Sequence, residues 1–314
     1  MIALEKIKKL ILSETFRQVS GVVLILMGAI YVFRNRKLFV NLFSISPIFL
    51  VLLILCWIGI YLLSGYRIKI LLGIFNIPTV FKEWFGTTVI ATMSNYLLPQ
   101  SGIAVRSSYF KFRRQLPLSD FLAIQSAEYF FLFMTRGFIG IICSLFMPID
   151  HRQKSIFVLI FGVFWFIGLV PLFLKKWRIR SNSWMMQRVN SVLSGLQLIA
   201  RSSQACLVLV LLSIIEILIF TFWYYLAFEA IKMDIPFLNA LVLGLLMKIT
   251  MFIPITPGNL GIQEILLATY SSLGGSGFDE GLTASLLLRS ISLGMSFVLG
   301  FIFTKKLLGS KRES

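Results

Sequence analysis

Charge is scarce in this chain. Asp, Glu, Lys and Arg together make up 14% of its 314 residues, against roughly 25% in soluble domains. That shortage excludes an ordinary water-soluble globule. Histidine and cysteine are rarer still: one histidine, His151, and three cysteines, Cys56, Cys143 and Cys206. The cysteines lie in apolar runs with neither metal-ligand nor disulfide-framework spacing, so they read as small buried hydrophobes. His151 sits in a short polar loop and reads as a solvated side chain. The chain also lacks a phosphate-cradling glycine loop ending in Lys-Ser/Thr and a zinc-binding His pair on a helix. No metal, no cofactor and no catalytic residue is therefore expected. The N-terminus is charged and only mildly apolar, without a small-residue cleavage site, so no cleavable signal is expected.

Apolar sequence is what the chain has in abundance. It is 58% hydrophobic, and several apolar runs reach about 20 residues, enough to cross a hydrocarbon core of about 30 Å. The expected fold is an all-α polytopic membrane protein, a single integral membrane domain over residues 1–314. The formal net charge is +17. Its Lys and Arg cluster between the apolar runs, as in Arg34-Asn-Arg36-Lys37, Lys111-Phe-Arg113-Arg114 and Lys175-Lys176-Trp-Arg178-Ile-Arg180. Such clusters attract anionic lipid and set orientation. Anionic membrane lipids are the expected partners; nucleic acid is not, since no motif for it accompanies the charge.

In chain order, residues 1–17 suit a surface-lying amphipathic helix. Full spans are expected near 19–33, 46–63, 118–147, 156–174, 205–230 and 282–303, about six in all. A basic amphipathic stretch is expected over 67–82, and an interfacial one over 175–201. Two further segments are broken. The first rises from Trp84, turns at Pro99-Gln-Ser-Gly102 and returns through Arg106. The second rises from Pro236 and turns in Pro254-Ile-Thr-Pro257-Gly258-Asn-Leu-Gly261-Ile-Gln-Glu264. Proline removes a backbone donor and glycine frees the chain, so helix breaks there. At membrane depth such a break needs protein or a wet cavity around it. Each segment reads as a re-entrant hairpin, with a plain polar loop as the alternative for the second. Pro99, Gly102, Pro254, Pro257, Gly258 and Gly261 are the structural breaks.

The landmarks Pro99 and Pro257, Gly102 and Gly261, and Arg136 and Arg289 recur in the same order at nearly one offset. This predicts a duplication, with repeat 1 over about 19–147 and repeat 2 over about 156–304. The basic tail at Lys305, Lys306, Lys311 and Arg312 is expected on the cytoplasmic side. The loop at Asp279-Glu280 holds no Lys or Arg and is expected outside. Alternation then opens the first hairpin inward and the second outward, an inverted repeat. Arg34, Arg36 and Lys37 fall outside in this scheme, against the rule.

Six ionisable residues lie within apolar segments: Glu128, Arg136, Glu216, Lys248, Glu264 and Arg289. Each costs about 2.5–3.5 kcal/mol at the bilayer centre on insertion scales unless compensated. Mutual pairing and a polar passage are both open readings. Arg106, Arg136 and Arg289 could fork onto phosphate, and helix ends at the breaks would add backbone donors. All seven, Arg106 included, are candidate substrate-binding residues. A phosphate-bearing lipid headgroup fits the set.

The run Pro257-Gly258-Asn-Leu-Gly261-Ile-Gln-Glu264, with Arg289 downstream, resembles the second signature of the lysylphosphatidylglycerol synthase transmembrane (flippase-like) family. That family includes the flippase portion of the multiple peptide resistance factor and archaeal proteins linked to dolichol-phosphate glycans. Its first signature is matched at Pro99, Gly102, Arg106 and Glu128. It is departed from where no arginine lies between Pro99 and Gly102, and at Ile103, Tyr129 and Leu132, where the family has an acid, an arginine and an aspartate. These departures imply a first site that takes a different headgroup or works poorly. The resemblance implies an eight-segment membrane domain that moves or handles charged lipids. Family members named as synthases carry a separate soluble transferase domain, for which this sequence leaves no room after its last span; catalysis is therefore discounted, and only the family name suggests a phosphatidylglycerol lysyltransferase.

The expected function is flippase-like translocation of a charged lipid: a phospholipid, an aminoacyl-phospholipid or a polyprenyl-phosphate-linked glycan. Two alternatives stay open. One is a membrane subunit of phosphatidylglycerol lysyltransferase or a glycosyltransferase, with catalysis on a partner transferase. The other is an ion-coupled transporter of small solutes. The expected location is the cell membrane.

Overall fold

The computed structural model describes residues 45–173, 184–250, 256–273 and 277–309. Among them the regular structure is helical, with no strand. The helices are α1 (Pro47–Ile74), α2 (Phe81–Leu97), α3 (Ser101–Arg114), α4 (Leu118–Phe146), α5 (His151–Phe173), α6 (Trp184–Arg201), α7 (Ser203–Ala230), α8 (Phe237–Thr250), α9 (Ile262–Leu273) and α10 (Phe278–Gly309). Five of them, α1, α4, α5, α7 and α10, are long and apolar enough to cross a membrane. They match the five expected spans from 46 onward. The expected span at 19–33, the segments 1–17 and 175–183, Pro254 and the tail beyond 309 lie outside the described residues.

Proline punctuates the chain as its chemistry demands. Pro47 occupies the first turn of α1, where a missing N–H costs nothing. Leu98, which precedes Pro99, is forced into extended backbone at φ −139° and ψ 131° and ends α2. Gln100 then turns left-handed at φ 61°, and α3 begins at Ser101. The open end of this helix pair is tied by a forked ion pair. Arg114 Nη2 lies 2.6 Å from Glu83 Oε2, and its Nε donates to Oε1 at 3.1 Å. Glu83 also accepts from the Val80 N–H at 3.2 Å, satisfying a free donor at the start of α2.

One expectation is corrected here. The span expected over 46–63 does not give way to a basic surface segment at Arg67. The helix α1 runs on to Ile74, and Arg67 is 1% exposed. The buried residues of α1 recur as Leu53, Trp57, Ile60, Tyr61, Arg67, Ile68 and Leu71. That is a stripe at i, i+3, i+4 spacing, so helical period carries Arg67 onto the core face.

The core lies where α1 crosses α7. Trp57 stacks on Trp223 with ring centroids 4.6 Å apart, and Tyr61, Phe220 and Tyr224 surround them. Against this pair pack α2 and α10, with Phe85 and Phe303 at 5.1 Å. On the other side α4 approaches α5 so closely that a Cβ at Gly137 or Gly168 would strike the facing backbone. Small residues at helix contacts are the expected device in lipid, where apolar area alone gives little association.

Candidate functional site

Two breaks and a charge cluster meet around one cavity of about 260 Å³. The breaks are built differently. At the first, Gly102 sits against the Ala91 carbonyl, where a Cβ would come within 2.5 Å. Its N–H donates to Asn95 Oδ1 at 2.8 Å. At the second, a short 3-10 turn spans Pro257–Asn259, with Gly258, Asn259 and Gly261 at φ 57°, 55° and 83°. Asn259 Nδ2 donates to the Thr250 carbonyl at 2.9 Å, satisfying an orphan acceptor at the end of α8. Gly258 leaves no room for a side chain, because the Tyr96 ring from the first break packs directly on it. The two breaks therefore touch.

Arg289 of α10 holds the second break. Its Nε donates to Glu264 Oε1 at 2.7 Å and its Nη1 to the Gly258 carbonyl at 2.6 Å. Its Nη2 reaches the Asn259 carbonyl and Gln263 Oε1, both at 3.3 Å. The guanidinium also lies 5.8 Å from the Tyr96 ring centroid. The other oxygen of Glu264 accepts from the Gly261 N–H at 2.8 Å and so caps α9. Proline, glycine, carboxylate and arginine in this motif thus form one brace.

The larger cluster joins both halves of the chain. Glu216 of α7 has no exposed surface and takes three cations: Arg67 at 3.1 Å, Arg136 at 2.5 Å and Lys248 at 3.4 Å. Glu128 of α4 takes Arg67 at 3.5 Å, Arg106 at 3.8 Å and a hydrogen bond from Gln125 at 2.9 Å. Four cations thus share two carboxylates. Donors exceed acceptors as well: Arg67 Nε and Nη1, Arg106 Nε and Arg136 Nη1 are buried without a hydrogen-bond partner among the described residues. Buried, uncompensated positive charge is costly and invites an anion.

The seven candidate residues fall in different places around this cavity. Arg106, Glu128, Lys248 and Arg289 line it. Arg136, Glu216 and Glu264 stand behind the wall, each paired to a cation or carboxylate of the same networks. Pro99, Gly102 and Gly258 also line the cavity. Sequence reasoning missed Arg67, whose helical register on the stripe through Trp57, Tyr61 and Ser64 was the available signal. It also missed Tyr96 and Gln125, uncharged residues that stand out in no apolar run, and it gave no binding role to Asn259 and Gln263 of the second break motif. Among the described residues no group of His, Cys, Asp or Glu could hold a metal ion.

Residues 18–300 match the family model described as the lysylphosphatidylglycerol synthase TM region. The chain belongs to this family. No curated protein and no solved structure matches it. Family membership and five apolar spans make it a multi-pass helical membrane protein. The break at Pro257–Asn259 and its arginine brace are the part of this family member that its sequence motif encodes most directly.

Proposed function

We propose that this protein binds the charged headgroup of a membrane lipid and carries it across the bilayer, as a flippase-like transporter. One observation carries the reading: a cavity between two broken helix pairs, lined among the described residues by four cations and one carboxylate. A headgroup crossing a bilayer needs a polar path while its tails stay in lipid, and broken helices around a central site supply one. Arg67, Arg106, Lys248 and Arg289 hold the phosphate; Glu128, Glu216 and Glu264 fix those cations in place.

We also read the chain as two inverted halves. In support, several helix contacts keep a counterpart when the two halves are exchanged. The helix α2 packs on α10 as α8 packs on α4; α1 on α2 as α7 on α8; α1 on α4 as α7 on α10. The protein resides in the cell membrane with its C-terminus in the cytoplasm, as the positive-inside rule implies for Lys305 and Lys306.

The test is headgroup translocation in reconstituted vesicles. Among the described residues Arg106 is held by one 3.8 Å ion pair, so Arg106→Ala is the cleaner probe. Its expected result is loss of translocation by about tenfold or more, with the protein still inserted and monodisperse. Arg289→Ala is expected to abolish translocation too. Unchanged transport in Arg106→Ala overturns the assignment.

A further inference from the structure

The geometry points to a charge rule for the cargo: the cavity accepts a phosphate joined to an uncharged polyol and rejects a headgroup that carries its own cation. This deepens the transport reading and rests on it. The family name contains a cationic lipid, lysylphosphatidylglycerol, and a cavity for that headgroup needs an open carboxylate for the lysyl ammonium groups. None is open here. Among the described residues Glu128 is the only carboxylate on the wall, and both its oxygens are engaged, by Arg67, Arg106 and Gln125. Behind the wall, both oxygens of Glu216 and both of Glu264 are engaged as well. An incoming ammonium would have to displace a tethered guanidinium and would meet the surplus positive charge first.

What the wall offers instead is hydrogen bonding without charge. Asn95, Gln125, Asn259 and Gln263 line the cavity with the rings of Tyr61 and Tyr96, and each amide uses one of its two polar atoms in a bond within the protein. Amides both donate and accept, which suits hydroxyls. Ring faces and a few placed polar groups are the ordinary make-up of a headgroup pocket. The unpartnered donors on Arg67 and Arg106 lack oxygens, and a phosphate brings them. Asn95 and Gln100 are exposed where they line the cavity, so polar side chains also stand at its rim.

The experiment is lipid binding to the purified, full-length protein in detergent. The probes are phosphatidylglycerol, lysylphosphatidylglycerol and free glycerol 3-phosphate. Phosphatidylglycerol is expected to bind at least about tenfold tighter than its lysyl derivative. In Asn95→Asp, the ratio is expected to narrow several-fold. Aspartate keeps the acceptor that Gly102 uses and adds an open negative charge to the wall. Equal or tighter binding of the lysyl lipid to the unmodified protein overturns the charge rule. An unchanged ratio in Asn95→Asp overturns the assignment of that rule to this cavity. Competition by glycerol 3-phosphate as strong as by phosphatidylglycerol makes the ligand a soluble phosphate and overturns the lipid cargo. Preferred binding of phosphatidylglycerol without translocation in vesicles leaves the rule standing and overturns transport alone.

Discussion

Glu216 carries more of the site than any other residue. It is fully buried, and three cations from three helices converge on its two oxygens. Removing one member of a buried charge network typically costs about 3–5 kcal/mol, because the partners stay buried and unpaired. Glu216→Gln is therefore expected to lower thermal stability in detergent by an amount of that order, well beyond the effect of a surface change. Gly258 makes a second residue-scale case. Its φ of 57° and the Tyr96 ring against it leave no place for a methyl group. Gly258→Ala is expected to cost about 1–3 kcal/mol through strain and overpacking. The double change Gly258→Ala with Tyr96→Ala should recover the packing part of that loss in the same melt. At this scale the sequence was legible where a charge stood alone in apolar surroundings, as at Glu216 and Lys248. Arg67 was hidden because Lys69 stands beside it. Two basic residues at the end of an apolar run look like a cytoplasmic flank, and only helical register separates the buried one from its exposed neighbour.

The helix breaks were the most legible elements. Proline and glycine act on their own backbone and need no tertiary context, so Pro99, Gly102, Pro257, Gly258 and Gly261 mark the turns from sequence alone. The end of α1 was not legible, since nothing in the residues after Leu63 forbids helix until Pro78. What charge pattern could not give was closure across the break. Glu83 and Arg114 stand 31 positions apart and meet only because the first pair of helices folds back on itself. Arg114 is a third exposed, so the pair contributes modestly, about 1 kcal/mol or less after solvent screening. Arg114→Ala is expected to speed amide exchange in α2 and α3 while leaving α9 unchanged, as read by hydrogen-exchange mass spectrometry. Equal change in α9 would mean that the two helix pairs open together.

For the molecule as a whole, the question is which way each half faces. The inverted reading puts the Lys111–Arg114 end of the first helix pair and the Asp279 loop on opposite sides of the membrane. Single cysteines at Lys111 and Asp279, in a background without Cys56, Cys143 and Cys206, are expected to react with an impermeant thiol reagent from opposite sides. Labelling of both from one side would remove the inverted arrangement and the transport path with it. The all-helical membrane class and the five long apolar helices from residue 46 onward were readable because hydrocarbon thickness sets helix length directly. The cavity was not, because its wall draws on helices from both ends of the chain, whose meeting depends on packing rather than on any local pattern.

The triple attachment at Glu216 ties α1, α4 and α8 to α7 through a single carboxyl group. No one of these helices can slide against α7 without changing the field felt by the other two cations. The fold thus has a mechanical junction beside the cavity, where displacement of any of these helices is converted into a change of electrostatic partner at one shared point.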